Sequence, residues 1–487
     1  MISRLVIENY RSIEYLDIQL TELNAIIGAN SSGKSNILKA INLVLGQTYA
    51  TIKSFSIEDF FNFDVNNHIS IEVHFKQSLV CDPQVKGFRL FNDGNSVTYI
   101  ALDNAGNPCT YNNGTEKKVT NQMRDEVPLI YITLDRQSTQ QIRPTQWTLY
   151  GKLLSYVSST ISRNDNDTFV SELDQTYQKN VFPYVEPVET LLTQYVKEQT
   201  GRNLNLNLSV IDPSMILKDL RPRIQDINGF EIDVDKEGAG IQSAVTIAIA
   251  RTYATVTQMP LIIAIEEPEI FLHPHGCRHF YSILKSLSTS GVQVLYTTHR
   301  ETFIDIKEYQ NIKLVYKNGI STEVKSFNGL VNNFDKIKAA SKFDLEMNEV
   351  FFADKVILVE GPADKIAIKF ALESLGKDID SFNISVIECG SISGIKPMIE
   401  ILNNFDIYCL AIVDEDPGNA ITQGHINDIR AILKDPNNDI YIQSPNLEGL
   451  LNYQGKFKKE TTLKNIPTLL QNGIPNLYYD IANRLGI

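Results

Sequence analysis

The sequence has few cysteines, no long apolar run and no excess of positive charge. Its five cysteines are scattered, and no two of them form a C-x-x-C pair. This spacing excludes a zinc ribbon and a disulfide framework, and it is typical of reduced thiols. No apolar run approaches the roughly 18 residues of a membrane span, and the N-terminal segment lacks the apolar core of a signal peptide. We therefore expect a cytoplasmic protein that does not engage a membrane.

The charged residues leave the chain acidic, with a formal net charge of −13 at pH 7. Because such an average surface repels phosphate, a nucleic-acid enzyme of this composition must gather its Lys and Arg side chains locally. The 487 residues are 43% hydrophobic and 21% charged. This balance excludes a disordered or fibrous protein, and the length predicts two or three domains with substantial cores.

A phosphate-binding loop is the first motif along the chain. Residues 28–35, GANSSGKS, satisfy G-x-x-x-x-G-K-[ST] after an apolar strand and before a helix. Small residues, with Asn30 and Gly33 among the predicted nucleotide contacts, let backbone N–H groups close around the phosphates of ATP. Lys34 is predicted to reach the β- and γ-phosphates, and the Ser35 hydroxyl is predicted to join the magnesium shell.

Two acidic residues, Glu266 and Glu267, end an apolar strand in LIIAIEEPEIFLHP. The first is predicted to hold magnesium through water, and the second to act as general base on the attacking water. His299 ends another apolar strand, VLYTTHR, where an imidazole could sense the γ-phosphate or orient the water. Either feature alone is more often structural, and it is the P-loop in the same chain that favours the functional interpretation.

A further segment, GAGIQ at 238–242, opens a helix whose N-terminus could bind a phosphate. The order I-x-N-Y-R-S, P-loop, G-x-G-x-Q, E-E-P-E-x-x-L-H-P and T-T-H resembles the ABC-type ATPases of the SMC, Rad50 and RecF kind. In that group two subunits sandwich ATP, which implies that Arg11, Gly240 and Gln242 contact nucleotide. The chain departs from the pattern at Ala239, where the signature usually has serine, and no Q-loop glutamine is recognisable. Both departures bear on the rate of hydrolysis and not on nucleotide binding.

A second set of carboxylates lies in the C-terminal third. VILVEGPAD places Glu360 at the end of an apolar strand with Asp364 after a Gly-Pro turn, and LAIVDEDPGNA adds Asp414 and Asp416. Alternation along a strand predicts that the last two share one face, with Glu415 pointing away. Carboxylates gathered at strand ends must share protons or bind hard cations, and all-oxygen ligation suits Mg²⁺ or Mn²⁺. Two such ions about 4 Å apart can hydrolyse a phosphodiester.

The combination E-G-x-x-D followed by D-x-D resembles the TOPRIM domain of primases, topoisomerases and some nucleases. A P-loop ATPase followed by a TOPRIM domain resembles the OLD (overcoming lysogenisation defect) family of endonucleases over nearly the whole chain. The resemblance implies five metal ligands, which are Glu360, Asp364, Asp414, Asp416 and the later Glu448. Glu360 and Asp414 are also predicted to be catalytic.

The same resemblance implies a C-terminal lysine near the scissile phosphate. The candidates are Lys456, Lys458, Lys459 and Lys464. The sequence does not show which of them acts, and most lysines of such a cluster are expected to lie on a solvated surface. Lys464 is predicted to be the catalytic one.

The predicted architecture is α/β, an ABC-type P-loop ATPase domain with a helical insert followed by a C-terminal TOPRIM domain of Rossmann-like α/β type. Residues 1–145 are expected to form the first part of the ATPase domain, and residues 206–340 its second part. The second part contains the signature (GAGIQ), the Walker B acids (Glu266 and Glu267) and the His switch (His299). Between them, residues 146–205 are expected to form the insert, which mediates dimerisation in the family. Residues 345–487 are expected to form the TOPRIM nuclease domain.

The predicted function is an ATP-binding and ATP-hydrolysing, metal-dependent DNA endonuclease in bacterial defence against phage. Its expected partners are DNA, a second copy of the chain and, in some members of the family, a helicase or a retron reverse transcriptase with its DNA. The alternative is a RecF- or SMC-like ATP-gated DNA clamp whose TOPRIM domain does not cleave. A primase would need a zinc ribbon, a topoisomerase a tyrosine on a separate DNA-breaking domain, and a transporter ATPase has no use for a TOPRIM domain.

Overall fold

The computed structural model describes residues 1–133, 142–145, 148–200, 202–203, 216–217, 219–225, 228–270, 272–327, 329–331, 345–433, 438–457 and 463–487. Two compact units result: Met1–Tyr131 together with Ile262–Ile487, and Ile132–Leu261. Within the described ranges, no helix combines the length and the apolar character needed to cross a membrane.

The strands are β1 Ile2–Tyr10, β2 Ile13–Gln19, β3 Leu23–Ile27, β4 Ile69–Phe75, β5 Gly87–Asn92, β6 Val97–Leu102, β7 Leu129–Ile132, β8 Arg223–Gln225, β9 Glu231–Asp233, β10 Leu261–Glu266, β11 Val292–Thr298, β12 Ile312–Asn318, β13 Ser321–Lys325, β14 Lys355–Val359, β15 Ile384–Glu388, β16 Tyr408–Asp414 and β17 Asn438–Gln443.

The α-helices are α1 Lys34–Leu45, α2 Asn121–Asp125, α3 Leu149–Thr160, α4 Arg163–Asn180, α5 Phe182–Thr200, α6 Ala239–Thr257, α7 Pro274–Thr289, α8 Pro362–Ser374, α9 Ile392–Asn404, α10 Ala420–Ile432, α11 Leu447–Leu450, α12 Asn465–Gln471 and α13 Asn476–Leu485. A 3₁₀ segment, Leu345–Phe351, precedes β14 and is called the linking helix below.

Three sheets organise the first unit. An antiparallel sheet has the order β2-β1-β4-β5-β6, and a mixed six-stranded sheet has the order β13-β12-β3-β11-β10-β7. In the second of these, β3 pairs in parallel with both β11 and β12. The third sheet is parallel, with the order β15-β14-β16-β17. Parallel strands bring their carboxyl ends to one edge of the sheet, where ligands of α/β proteins bind.

Apolar side chains at helical spacing attach the helices to these sheets. Ile37, Ile41 and Val44 of α1 lie in one fully buried cluster with residues of the antiparallel sheet and of β10. A separate cluster in the parallel sheet joins β14 and β16 to α8, α12 and α13. Each cluster includes residues of strands that end at the polar motifs. Burial of these residues therefore fixes the strands that position the motifs.

The predicted fold class is confirmed, and most predicted strands are present. The residue pattern predicts strands at 69–75, 97–102 and 384–388, and each of these is a strand over that range. Five strands were not predicted: β5, β7, β12, β13 and β17. For β13, sequence STEVK, and β17, sequence NDIYIQ, the reason is that both lie at a sheet edge and are rich in polar residues. Edge strands of this kind are specified by pairing with a neighbour more than by composition.

Candidate functional site

The P-loop lies between β3 and α1, at the carboxyl end of the mixed sheet. Its Lys34 side chain is buried, and the ammonium Nζ donates to the carbonyls of Gly28 (2.9 Å) and Ala29 (2.8 Å). Burial lowers the pKa of Lys34 to about 8, against the opposing negative charges of Glu267 and Glu269. The cation therefore sits inside its own loop, close to the acidic residues that follow β10.

Contacts from β13 and from the turn between β1 and β2 hold the P-loop in shape. The Thr322 hydroxyl of β13 donates to the carbonyl of Ser32 (2.8 Å) and lies 2.8 Å from the Ser12 hydroxyl, which also accepts from the Asn36 amide (2.9 Å). Gly33 has φ +109°, and a Cβ there would lie 2.3 Å from the Thr322 hydroxyl. A side chain at this position would push the loop off its support, so glycine is required.

The P-loop fits a bound polyphosphate. The Ser32 hydroxyl is buried and has no hydrogen-bond partner among the described groups, while Ser35 is half-buried at the start of α1. An unpartnered buried hydroxyl costs free energy unless a ligand satisfies it. Together with the Lys34 ammonium and the helix N-terminus, it forms a donor set suited to phosphate oxygens.

The two acidic residues after the apolar strand have different surroundings. Glu266 ends β10, is buried, and its Oε1 accepts a hydrogen bond from the Tyr131 hydroxyl (2.8 Å). Glu267 lies just beyond, with φ +41°, and its backbone N–H donates to both the carbonyl and the hydroxyl of Thr297 (3.1 Å each). A non-glycine residue in this left-handed region is strained and is held there by its neighbours.

His299 faces the second of these glutamates. Its Nε2 lies 3.4 Å from Oε1 of Glu267. Burial and the positive charge of Lys34 lower the pKa of His299, whereas Glu267 raises it. A neutral imidazole beside a carboxylate is suited to orient a water molecule without competing for the anionic phosphate. Lys34, Glu267 and His299 are thus brought together, as the sequence predicted; their catalytic roles remain predictions.

Glu269 was not predicted as a site residue. It lies in the loop after β10, called the Walker B loop here, and it connects this loop to the loop that holds His299. Its side chain is 4% exposed, and Oε1 accepts from the Thr298 hydroxyl and from the His299 backbone N–H, both at 2.7 Å. Burial raises the pKa of Glu269. The spacing E-E-P-E was visible in the sequence, but only the fold brings this carboxylate to β11.

The predicted nucleotide contacts outside the P-loop have protein partners: Arg11 pairs with a distant segment, and Gln242 bonds the loop just before its own helix. Arg11 Nε donates to Asp59 Oδ1 at 2.8 Å, in a half-buried ion pair. Gln242 is buried, and its amide donates to the carbonyls of Asp235 (3.2 Å) and Glu237 (2.8 Å). Gly240 lies in the first turn of α6, which begins at Ala239 after the N-cap Gly238. Their role toward nucleotide stays a prediction.

Acidic residues also follow the strands of the parallel sheet. Glu360 comes directly after β14, and its Oε1 accepts the backbone N–H of Asp414 (2.9 Å), the last residue of the neighbouring β16. The Asp414 carboxylate in turn accepts the backbone N–H of Leu447 (2.9 Å). The two carboxylates are therefore held at adjacent strand ends, as the order of motifs predicted.

Asp364 caps α8 from inside the site. Its Oδ2 accepts the Gly361 N–H (3.1 Å), and its Oδ1 accepts a hydrogen bond from the Gln443 side chain (2.7 Å). Gln443, at the end of β17, is 1% exposed, and its own Oε1 has no partner among the described groups. Gln443 was not predicted as a site residue, because the strand that carries it, β17, was not predicted.

The placement of Asp416 corrects one expectation. Strand β16 ends at Asp414, and Asp416 lies in a turn with φ +44°, so alternation along a strand does not place it. The turn is fixed by backbone bonds from Glu415 to Gln443 and from Asp416 to Pro445, both 2.9 Å. The Glu415 carboxylate does point away, to the Ser444 hydroxyl at 2.5 Å. Asp416 still lies near enough to raise the pKa of both Glu360 and Asp414 by its charge.

Three carboxylates of the acidic cluster have raised pKa values. Burial, followed by the charges of neighbouring carboxylates, raises the pKa of Glu360 to about 7 and that of Asp414 to about 8; burial also raises the pKa of Asp364. Across the described residues, no three acidic, histidine or cysteine side chains are close enough together to hold one ion. The donor set is nevertheless all oxygen and carries mutual repulsion that a divalent cation would relieve, so the residues fit Mg²⁺ or Mn²⁺.

The remaining predicted residues are a carboxylate that acts on the cluster by its charge, and exposed lysines. Glu448 is in α11, its Oε1 accepts the Phe457 N–H (3.0 Å), and its charge contributes to the raised pKa of Asp364. Lys456 is exposed, and Lys464 is exposed just before α12. Lys458 and Lys459 lie outside the described residues.

The nucleotide-side and acidic sites are joined through the linking helix. Buried Asn348 accepts the Ile306 N–H (3.0 Å) and donates to the carbonyls of Glu301 (3.0 Å) and Ile304 (2.8 Å), in the segment that follows His299. In the same helix, Glu346 pairs with Lys365, the neighbour of Asp364.

A cavity of about 580 Å³ also lies between the P-loop and residues next to the strands of the parallel sheet. It is lined on one side by Asn30 and His299 and on the other by Asp354, Asn383 and Asp406.

Comparison with known proteins places these sites in a family. The model described as "AAA ATPase domain" matches residues 1–127 and 110–304, more than half of the chain. The model described as "Overcoming lysogenization defect protein-like, TOPRIM domain" matches residues 351–416. The first match spans the P-loop, the Walker B loop and His299, and the second spans the acidic residues from Glu360 to Asp416.

Three curated relatives align with most of the chain. The OLD nuclease of Thermus scotoductus is 29% identical over 436 residues, covering 85% of this chain and 82% of that protein. The Old nuclease of Escherichia phage P2 is 22% identical over 455 residues, covering 84% and 76%. The endonuclease GajA of Bacillus cereus strain VD045 is 23% identical over 455 residues, covering 85% and 75%. The chain therefore belongs to the family of the AAA ATPase domain model, and it is similar to the OLD nucleases, with a match to the OLD-like TOPRIM domain after the ATPase domain.

Proposed function

We propose that the chain is an ATP-binding and ATP-hydrolysing endonuclease that cleaves DNA at its TOPRIM acidic cluster with the aid of Mg²⁺ or Mn²⁺. The observation that carries the proposal is the pair Glu360 and Asp414, hydrogen-bonded at adjacent strand ends, with pKa values raised to about 7 and about 8. Such a pair favours a site that exchanges protons for a divalent cation. The three relatives described above are named as nucleases, which agrees with it.

In this mechanism Glu360, Asp364, Asp414, Asp416 and Glu448 would supply the oxygen ligands. Divalent ions, when bound, activate water and stabilise the leaving oxygen of the phosphodiester. Glu360 and Asp414 hold their positions through backbone N–H groups, which leaves their remaining lone pairs for ligation. Lys464, which is exposed, is the proposed contact to the DNA phosphate.

On the ATPase side, Lys34 and Ser35 would bind the phosphates and their magnesium, and Glu266 would hold that magnesium through water. Glu267 would accept the proton of the attacking water, and His299 would orient that water. The left-handed backbone at Glu267, held by Thr297, aims its carboxylate toward His299. Arg11, Gly240 and Gln242 are proposed as further nucleotide contacts, the last two acting across a homodimer.

A plasmid-nicking assay tests the function. Purified protein is incubated with supercoiled plasmid in Mg²⁺, in Mn²⁺ and in EDTA, with and without ATP. We expect nicked and linear products with either metal and none in EDTA. Intact plasmid in every lane, with DNA binding retained in a gel-shift assay, would favour the ATP-gated clamp instead.

The cluster also predicts how metal-free stability depends on pH. The folded pKa values of Glu360 and Asp414, about 7 and about 8, lie above those of unfolded Glu and Asp, about 4. The folded state therefore binds more protons than the unfolded state between about pH 4 and pH 8, so this contribution to stability is present at low pH and is lost as pH rises through the folded pKa values. In EDTA, wild type should lose more thermal stability from pH 6 to pH 8 than Asp414→Asn does. Equal losses in the two proteins would contradict the assignment.

The helical insert is proposed as a homodimer interface. Helix α5 exposes apolar side chains along its length: Tyr184, Val188, Leu191 and Leu192 are each at least 39% exposed. Light scattering of wild type and of Leu191→Glu tests it, since a dimer that uses this face should dissociate in the variant.

A role in defence against phage is proposed from the family, with DNA and a helicase or a retron reverse transcriptase as the partner classes. Cells carrying the wild-type protein should plate some phages less efficiently than cells carrying Asp414→Ala. Equal plating across a broad panel of phages would remove this role while leaving the nuclease activity standing.

A further inference from the structure

We infer that Glu269 is a positioning residue of the ATPase site, which acts by fixing the backbone of His299. The inference rests on the proposed ATP hydrolysis and extends it to a residue that does not touch nucleotide. Glu269 is the fourth residue of the loop E-E-P-E, and its side chain reaches the residues at the end of β11.

Two hydrogen bonds tie the two loops together at this point, and a third lies within the His299 loop. Oε1 of Glu269 accepts from the Thr298 hydroxyl and from the His299 N–H, both at 2.7 Å. The Thr298 hydroxyl accepts in its turn from the Arg300 N–H (3.1 Å). One carboxylate oxygen therefore orders the chain on both sides of His299, at the lengths of charge-assisted hydrogen bonds.

The general base is tied to the same strand end from the opposite direction. The Glu267 N–H donates to the carbonyl and the hydroxyl of Thr297, one residue before Thr298. The separation of 3.4 Å between Glu267 and His299 is therefore set by two crosslinks, one to Thr297 and one from Glu269. Loss of the second frees the His299 side while the Glu267 side stays in place.

Burial makes this arrangement costly, which argues that it serves the site. Glu269 is 4% exposed, and its Oε2 is buried with no partner among the described groups. A carboxylate placed there for stability alone would be expected to satisfy both oxygens, because each unpaired buried oxygen carries a desolvation penalty. What Glu269 does satisfy is the backbone of a residue that faces the general base.

The test compares Glu269→Gln with Glu269→Ala. Glutamine keeps an oxygen at the accepting position, whereas alanine removes it. We expect Glu269→Gln to keep kcat for ATP hydrolysis within about threefold of wild type, and Glu269→Ala to lose roughly 10–100-fold, the usual effect of deleting a group that orients an active-site residue. KM for ATP should change little, because the P-loop contacts are untouched. Glu373→Ala, which removes an exposed glutamate from α8, is the matched control and should behave as wild type.

Epistasis separates positioning from general stabilisation. In a His299→Ala background, adding Glu269→Ala should cost little further kcat, since the group it positions is gone. A full additional loss in the double variant would overturn the inference, as would a Glu269→Gln variant as impaired as Glu269→Ala.

A spectroscopic readout is independent of turnover. Selective ¹⁵N labelling of the seven histidines gives few amide signals, and the His299 amide is the one missing in His299→Ala. A hydrogen bond to a carboxylate shifts an amide proton downfield, so this signal should move upfield in Glu269→Ala and much less in Glu269→Gln. An unchanged His299 signal in Glu269→Ala would overturn the inference even if ATP hydrolysis were normal. Absence of ATP hydrolysis in wild type, with the predicted shift present, would instead count against the proposed function alone.

Discussion

Asp414→Asn should reduce metal-dependent DNA nicking at least about 100-fold while leaving ATP hydrolysis within about twofold of wild type. The substitution keeps an oxygen that can accept the Leu447 N–H, so the turn after β16 should hold. It removes a negative charge from the acidic cluster, where burial and then the charges of Asp364, Glu360 and Asp416 all raise the pKa of Asp414. A neutral amide is a poor ligand for Mg²⁺ compared with a carboxylate.

The measurement is the initial rate of plasmid nicking across a range of Mg²⁺ and Mn²⁺ concentrations. Asp428→Asn serves as the matched control, because it makes the same change at an exposed ion pair with Lys396 in the same domain. Its expected effect is small, as for most exposed pairs. Nicking by Asp414→Asn at the wild-type rate would place the cleavage chemistry outside this cluster.

Lys34→Met should reduce ATP hydrolysis at least about 100-fold and weaken ATP binding. Methionine fills most of the volume of the buried lysine stem, so the P-loop should keep its packing while it loses the ammonium. In the wild type that ammonium lies among the Gly28 and Ala29 carbonyls with Glu267 and Glu269 nearby, a position from which it can turn to the phosphates. The readouts are phosphate release and the binding of a fluorescent ATP analogue.

Lys39→Ala, in the same helix α1 but away from the loop, is the control for loss of a lysine. The same preparations of Lys34→Met are then used for plasmid nicking with and without ATP. Nicking that persists in Lys34→Met and no longer responds to ATP would separate the two activities and give the sign of the regulation. Full ATP hydrolysis by Lys34→Met would refute the assignment of the P-loop.

The motifs were predictable because each is a short, local run of residues. The P-loop pattern, the acidic end of β10, His299 after β11 and the carboxylates after β14 and β16 all stand directly after apolar strands. A strand buried on both faces has a continuous apolar sequence, and its first polar residues mark the edge where ligands bind. Residues at such edges can therefore be identified before the neighbouring strands are known.

Contacts between these edges were not predictable in the same way. Gln443 was missed because β17 is a polar edge strand, and its link to Asp364 spans 79 residues of sequence. Glu269 was visible in its motif, but its bond to His299 exists only because β10 and β11 are adjacent in the sheet. Asp416 was predicted near Asp414 for the wrong reason, since a turn and not strand alternation brings it there.

The sequence by itself determined the two chemistries of this protein and their order along the chain, because phosphate and metal sites need particular residue types at short spacings after buried strands. Only the tertiary structure decided which buried groups support those sites, from the Thr322 hydroxyl beneath the P-loop to Glu269 behind His299 and Gln443 behind Asp364. The physical reason is that a buried hydrogen bond depends on distance and direction in space, and strand pairing sets these between residues that the sequence holds far apart.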